Sequence, residues 1–155
     1  MADMEVRNKE VQKTLQGLVE VCRDGQRGYL EAAEHITDPE LRSFFNKESL
    51  ERARFAGELE TELRGLGEAD AAKDSGGSVA GAVHRGWLDL SAAIAGDDAV
   101  LSAVEQGEDA AKKAYEEALR EPLPASIEGV VRGHAQAVIS AHDHVKLLRD
   151  QKKAA

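Results

Sequence analysis

Two charged side chains interrupt an apolar helical pattern between residues 41 and 66. The pattern consists of Leu41, Phe45, Glu48, Arg52, Phe55, Leu59, Leu63 and Leu66. Steps of three and four residues keep these side chains on one helix face, so Glu48 and Arg52 point where apolar groups are expected. Buried charges are costly unless they are paired. Both residues therefore need partners on neighbouring helices.

Candidate partners occur at the same predicted depth in the other long helices. Glu108 and His134 interrupt the apolar patterns of two later helices, and Gly25 lies opposite on the first. The depths follow from counting residues from the turns at about 1.5 Å per residue. We define the central polar layer as Tyr29, Glu48, Arg52, Glu108 and His134. The preferred interpretation is a buried ion-pair layer with Arg52 between the two glutamates and His134 or Tyr29 completing it.

A carboxylate-bridged iron or manganese site is the alternative interpretation of this layer, with Glu48, Glu108 and His134 as ligands. Bundles that hold two such metals usually supply one glutamate from each of two helices and a Glu-x-x-His from each of the others. The sequence contains no Glu-x-x-His. The fixed positive charge of Arg52 would also repel a cation. We therefore expect no cofactor, with iron or manganese as the alternative.

Charge and composition narrow the classes of partner. The formal net charge is -9, and basic residues are scattered among acidic ones, so nucleic acid and anionic membranes are poor partners. The single cysteine, Cys22, lies on an apolar pattern, which predicts a core residue. No stretch approaches a signal peptide or the roughly 20 apolar residues of a membrane span. These features predict a cytoplasmic protein.

The periodicity predicts an all-α fold in a single domain covering residues 1–155. Helices are expected near residues 8–36, 39–66, 79–95, 99–121 and 125–150. Asp38 and Pro39 form an N-cap and first helical position, which makes the first two helices antiparallel neighbours. Gly96 and Asp97 predict a glycine C-cap followed by an aspartate N-cap, and leave open whether residues 79–121 form one kinked helix or two.

These elements predict a ferritin-like four-helix bundle with a short crossover helix between helices two and three. An up-down-up-down bundle is the alternative.

Gly25 and Gly28 inside the first helix predict either close helix approach or room for a ligand. His84, Arg85 and Trp87 form a surface motif on the short helix.

Several segments resemble one family, the uncharacterised bacterial four-helix-bundle proteins (domain of unknown function) grouped with the ferritin-like superfamily. The matching segments are Asp24-Gly25-Gln26-Arg27-Gly28-Tyr29, Ala32-Ala33-Glu34, Arg52-Ala53-Arg54-Phe55, Gly77-Ser78, His84-Arg85-Gly86-Trp87, Glu105-Gln106-Gly107-Glu108-Asp109, Tyr115 and Ala141-His142-Asp143. The resemblance implies the fold and implies no activity.

Three classes of function remain open at this stage. The preferred one is a non-catalytic scaffold or stress-associated interaction protein. We expect it to form a homodimer, and its other protein partner is unknown. The second is a carboxylate-bridged metal protein with oxidase or storage chemistry. The third is a small-molecule binder that uses the space beside Gly25 and Gly28. The sequence has no Gly-rich phosphate loop, nucleophile elbow or Cys-His pair at usable spacing, which favours a protein that is not an enzyme.

Overall fold

The computed structural model describes residues 2–67 and 96–154 of the 155-residue chain. This part forms four helices: α1 (Ala2–His35), α2 (Pro39–Gly65), α3 (Asp97–Ala118) and α4 (Ala125–Ala154). No strand occurs among the described residues. The predicted all-α four-helix bundle is therefore confirmed. The predicted helix at 79–95 and its surface motif lie outside the described residues.

The turn between α1 and α2 forms as predicted. The Asp38 carboxylate accepts hydrogen bonds from the backbone N–H groups of Glu40 at 2.9 Å and Leu41 at 3.4 Å, and Pro39 opens the helix. The start of α1 was predicted too late, at residue 8, because residues 4–10 are exposed and carry no apolar periodicity. Residues such as Met4 and Arg7 nevertheless have good helix propensity, so the helix continues through them.

The helix directions follow from contacts between distant parts of the chain. Thr37, just before α2, hydrogen-bonds to Asp97 at the start of α3, and Arg52 further along α2 pairs with Glu108 further along α3. The helices α2 and α3 therefore run parallel, while the short turns make α2 antiparallel to α1 and α4 antiparallel to α3. This arrangement matches the crossover topology and excludes the up-down-up-down alternative.

The start of α3 corrects one prediction. Gly96 is the N-cap residue, with φ of 111° and no side-chain cap, and Asp97 is the first helical residue. The Asp97 carboxylate instead accepts hydrogen bonds from the Thr37 backbone N–H at 2.9 Å and hydroxyl at 2.8 Å, and from the Asp38 backbone N–H at 3.3 Å. The aspartate thus ties α3 to the α1–α2 turn.

The core lies between the four helices and is closed by aromatic and aliphatic side chains. Its largest fully buried members, after Arg52, are Tyr29, Tyr115, Phe45, Phe55, Leu15, Leu18, Ile36, Leu59, Leu63 and Leu101. Cys22 is buried among them. None of the described helices is both long and apolar enough to span a membrane.

Candidate functional site

An enclosed ion pair joins α2 to α3 at the centre of the bundle. Nη1 and Nη2 of Arg52 donate to Oε1 and Oε2 of Glu108, each at 2.6 Å. The two side chains are 1% and 0% exposed. Burial acts to lower the pKa of Arg52, but the Glu108 carboxylate more than compensates and raises it, so Arg52 stays a cation. Two parallel charge-assisted hydrogen bonds fix the relative position of the two helices.

Gly25 of α1 makes room for the guanidinium. A Cβ atom built on Gly25 would lie 3.3 Å from Nη1 and 3.4 Å from Cγ of Arg52. Close helix approach was one of the two predictions for this glycine, and the Arg52 side chain fills the space that the ligand hypothesis required at Gly25. Gly28 is also buried.

Tyr29 covers another side of the same guanidinium. Its ring centroid lies 5.4 Å from Cζ of Arg52, which is within cation–π range. Burial raises the pKa of Tyr29 well above its ordinary value, and the negative charge of Glu108 adds to the effect. The tyrosine therefore stays neutral beside the ion pair.

Glu48 lies at the edge of the central polar layer and is half-buried. Ser49 occupies the more buried position between Phe45 and Arg52, and its hydroxyl donates to the Gln26 carbonyl at 2.9 Å. Burial raises the pKa of Glu48, while the charge of Arg52 opposes that shift. Both Nη atoms of Arg52 bind Glu108, so the guanidinium is not shared between the two glutamates as the sequence interpretation proposed.

His134 belongs to a hydrogen-bonded chain of side chains that helical spacing does not predict. Sγ of Cys22 lies 3.0 Å from the Tyr115 hydroxyl, which lies 3.3 Å from Nδ1 of His134. Nε2 of His134 lies 2.7 Å from Oε1 of Glu58. The imidazole is stacked on Phe55 with ring centroids 4.0 Å apart. The chain runs from the core to the half-exposed Glu58.

The pKa shifts along this chain indicate an ordered set of donors. Burial lowers the pKa of His134, and the hydrogen bond from its imidazole lowers the pKa of Glu58. A neutral imidazole that donates from Nε2 to Glu58 and accepts at Nδ1 from Tyr115 fits both shifts. Burial raises the pKa of Cys22 to about 11, although its bond to Tyr115 opposes this. The thiol is therefore a weak nucleophile at neutral pH.

The three residues of the alternative metal prediction do not converge in the described part of the chain. Glu108 is engaged by Arg52, and His134 by Glu58 and Tyr115. Where the structure is described, one group of three His, Cys, Asp or Glu side chains has potential ligand atoms within 4.8 Å of one another: Glu105, Asp109 and His142. A metal at the central layer stays a prediction without a three-ligand geometry to support it.

The Glu105, Asp109 and His142 group, which we call the seam cluster, lies between α3 and α4. The i, i+4 spacing of Glu105 and Asp109 places both carboxylates on one face of α3 and is visible in the sequence. Which residue of α4 faces them depends on how that helix is rotated, and the sequence does not state it. His142 meets them, while His144 is exposed and packs against Phe44.

Comparison with known families gives one match over most of the chain. The model of the domain of unknown function DUF2383 matches residues 10–121. The matched segment contains both partners of the Arg52–Glu108 pair and ends before α4, which carries His134 and His142. No protein of curated function matches the sequence.

Proposed function

This chain belongs to the DUF2383 family, a domain of unknown function, and we propose from the geometry that it is a non-catalytic helical bundle. In this proposal the bundle acts through protein–protein contacts. In this proposal the chain is a bacterial, cytoplasmic protein with the fold of the ferritin-like superfamily, and an ion pair replaces the metal centre. A role as a scaffold or stress-associated interaction protein fits a core that is closed to substrates.

The enclosed Arg52–Glu108 pair is the observation that carries this proposal. A catalytic or metal centre in a bundle needs side-chain groups that are free to meet a substrate or ion. Both oxygens of Glu108 accept hydrogen bonds from Arg52, and neither side chain is appreciably exposed. The fixed guanidinium charge also stands where a cation would have to enter. The centre is therefore suited to holding helices together.

The alternative function is carboxylate-bridged iron or manganese chemistry at Glu48, Glu108 and His134. It requires Glu108 to leave Arg52, Glu48 to turn inward and His134 to leave Glu58. Each step gives up a contact that the structure contains, and the first leaves a buried cation unpaired. The small-molecule alternative loses the predicted space at Gly25, which the Arg52 side chain fills. A groove of about 490 Å³ between α2 and α4, beside Glu58 and His134, is a different place where a ligand could bind.

Metal analysis of matched variants tests the core of the proposal. The parent and Arg52→Met, each also carrying His142→Gln to remove the seam cluster, are purified without chelator and unfolded with and without Mn²⁺ or Fe²⁺. We expect no stoichiometric metal and no stabilisation by either ion. A stable Arg52→Met variant that metal stabilises further, with the gain abolished by Glu48→Gln, would establish the metal alternative instead.

Self-association is the part of the proposal that concerns partners. Leu50 on α2 and Leu147 on α4 are large apolar side chains that remain more than half exposed. They provide apolar contact points outside the core for a second copy of the chain. Sedimentation equilibrium is expected to give the mass of a homodimer that Leu50→Glu weakens. A monomer at every accessible concentration would remove self-association from the proposal.

A further inference from the structure

The seam cluster brings three potential metal ligands together from two helices. Glu105 and Asp109 come from α3, and His142 comes from α4, with one ligand atom of each within 4.8 Å of the others. Glu105 and His142 are largely buried, whereas the Asp109 side chain is 60% exposed. The cluster is therefore anchored on its inner side and open to water on its outer side.

Both nitrogens of the His142 ring face carboxylates. Nε2 lies 2.5 Å from Oδ1 of Asp109, and Nδ1 lies 3.0 Å from Oδ1 of Asp143. In metal sites, a carboxylate that accepts the N–H of one ring nitrogen orients the other nitrogen toward the ion. Asp143 is placed to do this for Nδ1, so that Nε2 can bind a metal between His142 and Asp109.

Glu105 contributes a largely buried carboxylate that is paired with Arg149. Nη1 of Arg149 lies 2.6 Å from Oε2 of Glu105, and no second partner for Oε2 occurs in the described ranges. The Glu105 side chain is 10% exposed. Each carboxylate oxygen has two lone-pair sites, so Glu105 can also bind an ion beside the guanidinium.

We propose that Glu105, Asp109 and His142 bind a divalent transition-metal ion at the α3–α4 seam. One imidazole nitrogen and two carboxylate oxygens suit Zn²⁺ or Mn²⁺, and the exposed side leaves a position for water. In tetrahedral Zn²⁺ coordination the ligand atoms are about 3.4 Å apart, given bonds of about 2.1 Å. The exposed Asp109 side chain can rotate to open the 2.5 Å contact to that distance.

Arg149 competes with the ion for Glu105 without blocking it. A carboxylate has two oxygens and about four lone-pair sites, so Glu105 can contact both Arg149 and a metal. The positive charge lowers the affinity of the site for a cation. We therefore expect a site that is weaker than a structural zinc site.

This site is independent of the proposed function. Glu108 points to Arg52 in the centre, whereas Glu105, three residues earlier on α3, points to α4. Metal binding at the seam would leave the central ion pair intact. The metal test of the central layer uses variants without His142 for this reason, so the failure of one proposal does not decide the other.

Titration calorimetry with Zn²⁺ on untagged, chelator-treated protein tests the site. We expect one ion per chain in the parent, with binding weakened about tenfold or more by His142→Gln. His144→Gln is the matched control, because it removes an exposed histidine from the same helix, and it should bind as the parent does. Co²⁺ added to the parent should give the visible absorption of a low-symmetry site, and Zn²⁺ should displace it.

A second variant keeps the test decisive if His142→Gln disturbs folding. Asp109→Asn changes an exposed side chain, so it should unfold like the parent and yet bind Zn²⁺ about tenfold more weakly. Absence of Zn²⁺ binding by the parent would overturn the proposal. Equal affinity of the parent, His142→Gln and Asp109→Asn would overturn it as well, because binding would then arise elsewhere.

Discussion

Two glutamates three residues apart on α3 make ion pairs of opposite character. Glu108 pairs with Arg52 across the centre, where the side chains are 0% and 1% exposed. Glu105 pairs with Arg149 at the seam, where they are 10% and 25% exposed. The chemical groups are the same, but only the seam pair has water and further ligands within reach. Access to solvent therefore decides whether a carboxylate–guanidinium pair acts as a structural tie or as a site that can take up another ion.

Arg52→Met breaks the enclosed pair and should have the largest effect. It leaves Glu108 buried without a counter-charge, which lowers the free energy of unfolding by about 3 to 5 kcal/mol. The control is Arg54→Met on the same helix, because Arg54 pairs with Glu51 and Glu58 at the surface. Such exposed pairs contribute about 0 to 1 kcal/mol each. If denaturant unfolding shows that Arg52→Met and Arg54→Met lose equal free energies of unfolding, the distinction between enclosed and exposed ion pairs is contradicted.

Replacing both partners should recover most of that loss. The double variant Arg52→Met/Glu108→Leu contains no unpaired buried charge, and substitution of a whole buried pair by apolar residues is often neutral or stabilising by about 1 to 4 kcal/mol. We expect it to be more stable than Arg52→Met, and Glu108→Leu completes the double-mutant cycle. Losses that simply add would mean that the two charges do not act as a pair.

Asp97 is a third carboxylate of α3, and the groups that donate hydrogen bonds to it are uncharged: the Thr37 hydroxyl and the backbone N–H groups of Thr37 and Asp38. Asp97→Asn should lower stability by about 1 to 3 kcal/mol, because the Thr37 hydroxyl and backbone N–H lose their anionic acceptor. The control is Asp98→Asn, which changes its exposed neighbour. Thermal unfolding of the three proteins measures the difference, and equal midpoints would contradict the proposed tie.

The same aspartate predicts a pH dependence. Burial acts to raise the pKa of Asp97, but the Thr37 hydrogen bonds outweigh it, so the pKa is lowered in the folded state. The contribution of the Asp97 charge to the free energy of unfolding is therefore fully present above the ordinary aspartate pKa. It is lost as the pH falls through the lowered pKa of the folded state. The gap between the parent and Asp97→Asn should close in acid. A difference in stability that persists in acid would mean that the loss in Asp97→Asn comes from changed hydrogen-bond geometry and not from the lost charge.

Gly25→Ala sharpens the description of the enclosed pair. Alanine for glycine inside a helix usually gains about 0.5 to 1 kcal/mol. Gly17→Ala in the same helix should show that gain, because among the described residues no atom beyond the adjacent stretch of α1 lies within 4 Å of the new Cβ. At Gly25 the new Cβ presses on Arg52, which Glu108 holds in place. We expect Gly25→Ala to lack the gain. Equal stabilisation of both variants would show that Arg52 can move.

Arg149→Met tests the seam pair and should have the smallest effect on stability. Because Arg149 is partly exposed, we expect a change below about 1 kcal/mol in the free energy of unfolding. Removal of its charge should tighten Zn²⁺ binding by the seam cluster, as measured by calorimetry. A large loss of stability with unchanged Zn²⁺ affinity would reverse the roles assigned to the two pairs.

The sequence predicted the centre of the bundle because helical spacing and turn positions carry that information. Arg52 and Glu108 interrupt apolar patterns at equal depth, and their helices end at recognisable turns. Helical spacing does not decide between Glu48 and Ser49, since steps through either residue connect Phe45 to Arg52, and one residue shifts a side chain by about 100° around the helix.

Contacts that depend on helix rotation could not be predicted. The Tyr115 hydroxyl joins Cys22 to His134, and the seam cluster joins His142 to α3, through the way particular helix faces meet in space. The residue type of Asp97 predicts a local capping role, but its carboxylate accepts hydrogen bonds from Thr37, which lies 60 positions earlier in the chain. The preference of aspartate for helix N-termini carries no information about such contacts with distant residues.

The enclosed pair also has an evolutionary consequence. A lineage that changes Arg52 or Glu108 alone passes through a protein that loses about 3 to 5 kcal/mol, out of a total stability that for most domains is about 5 to 15 kcal/mol. Single steps away from the pair are therefore strongly selected against, whereas a concerted change is tolerated. Positions 52 and 108 form an epistatic unit, and relatives are expected to keep both charges or to have replaced both.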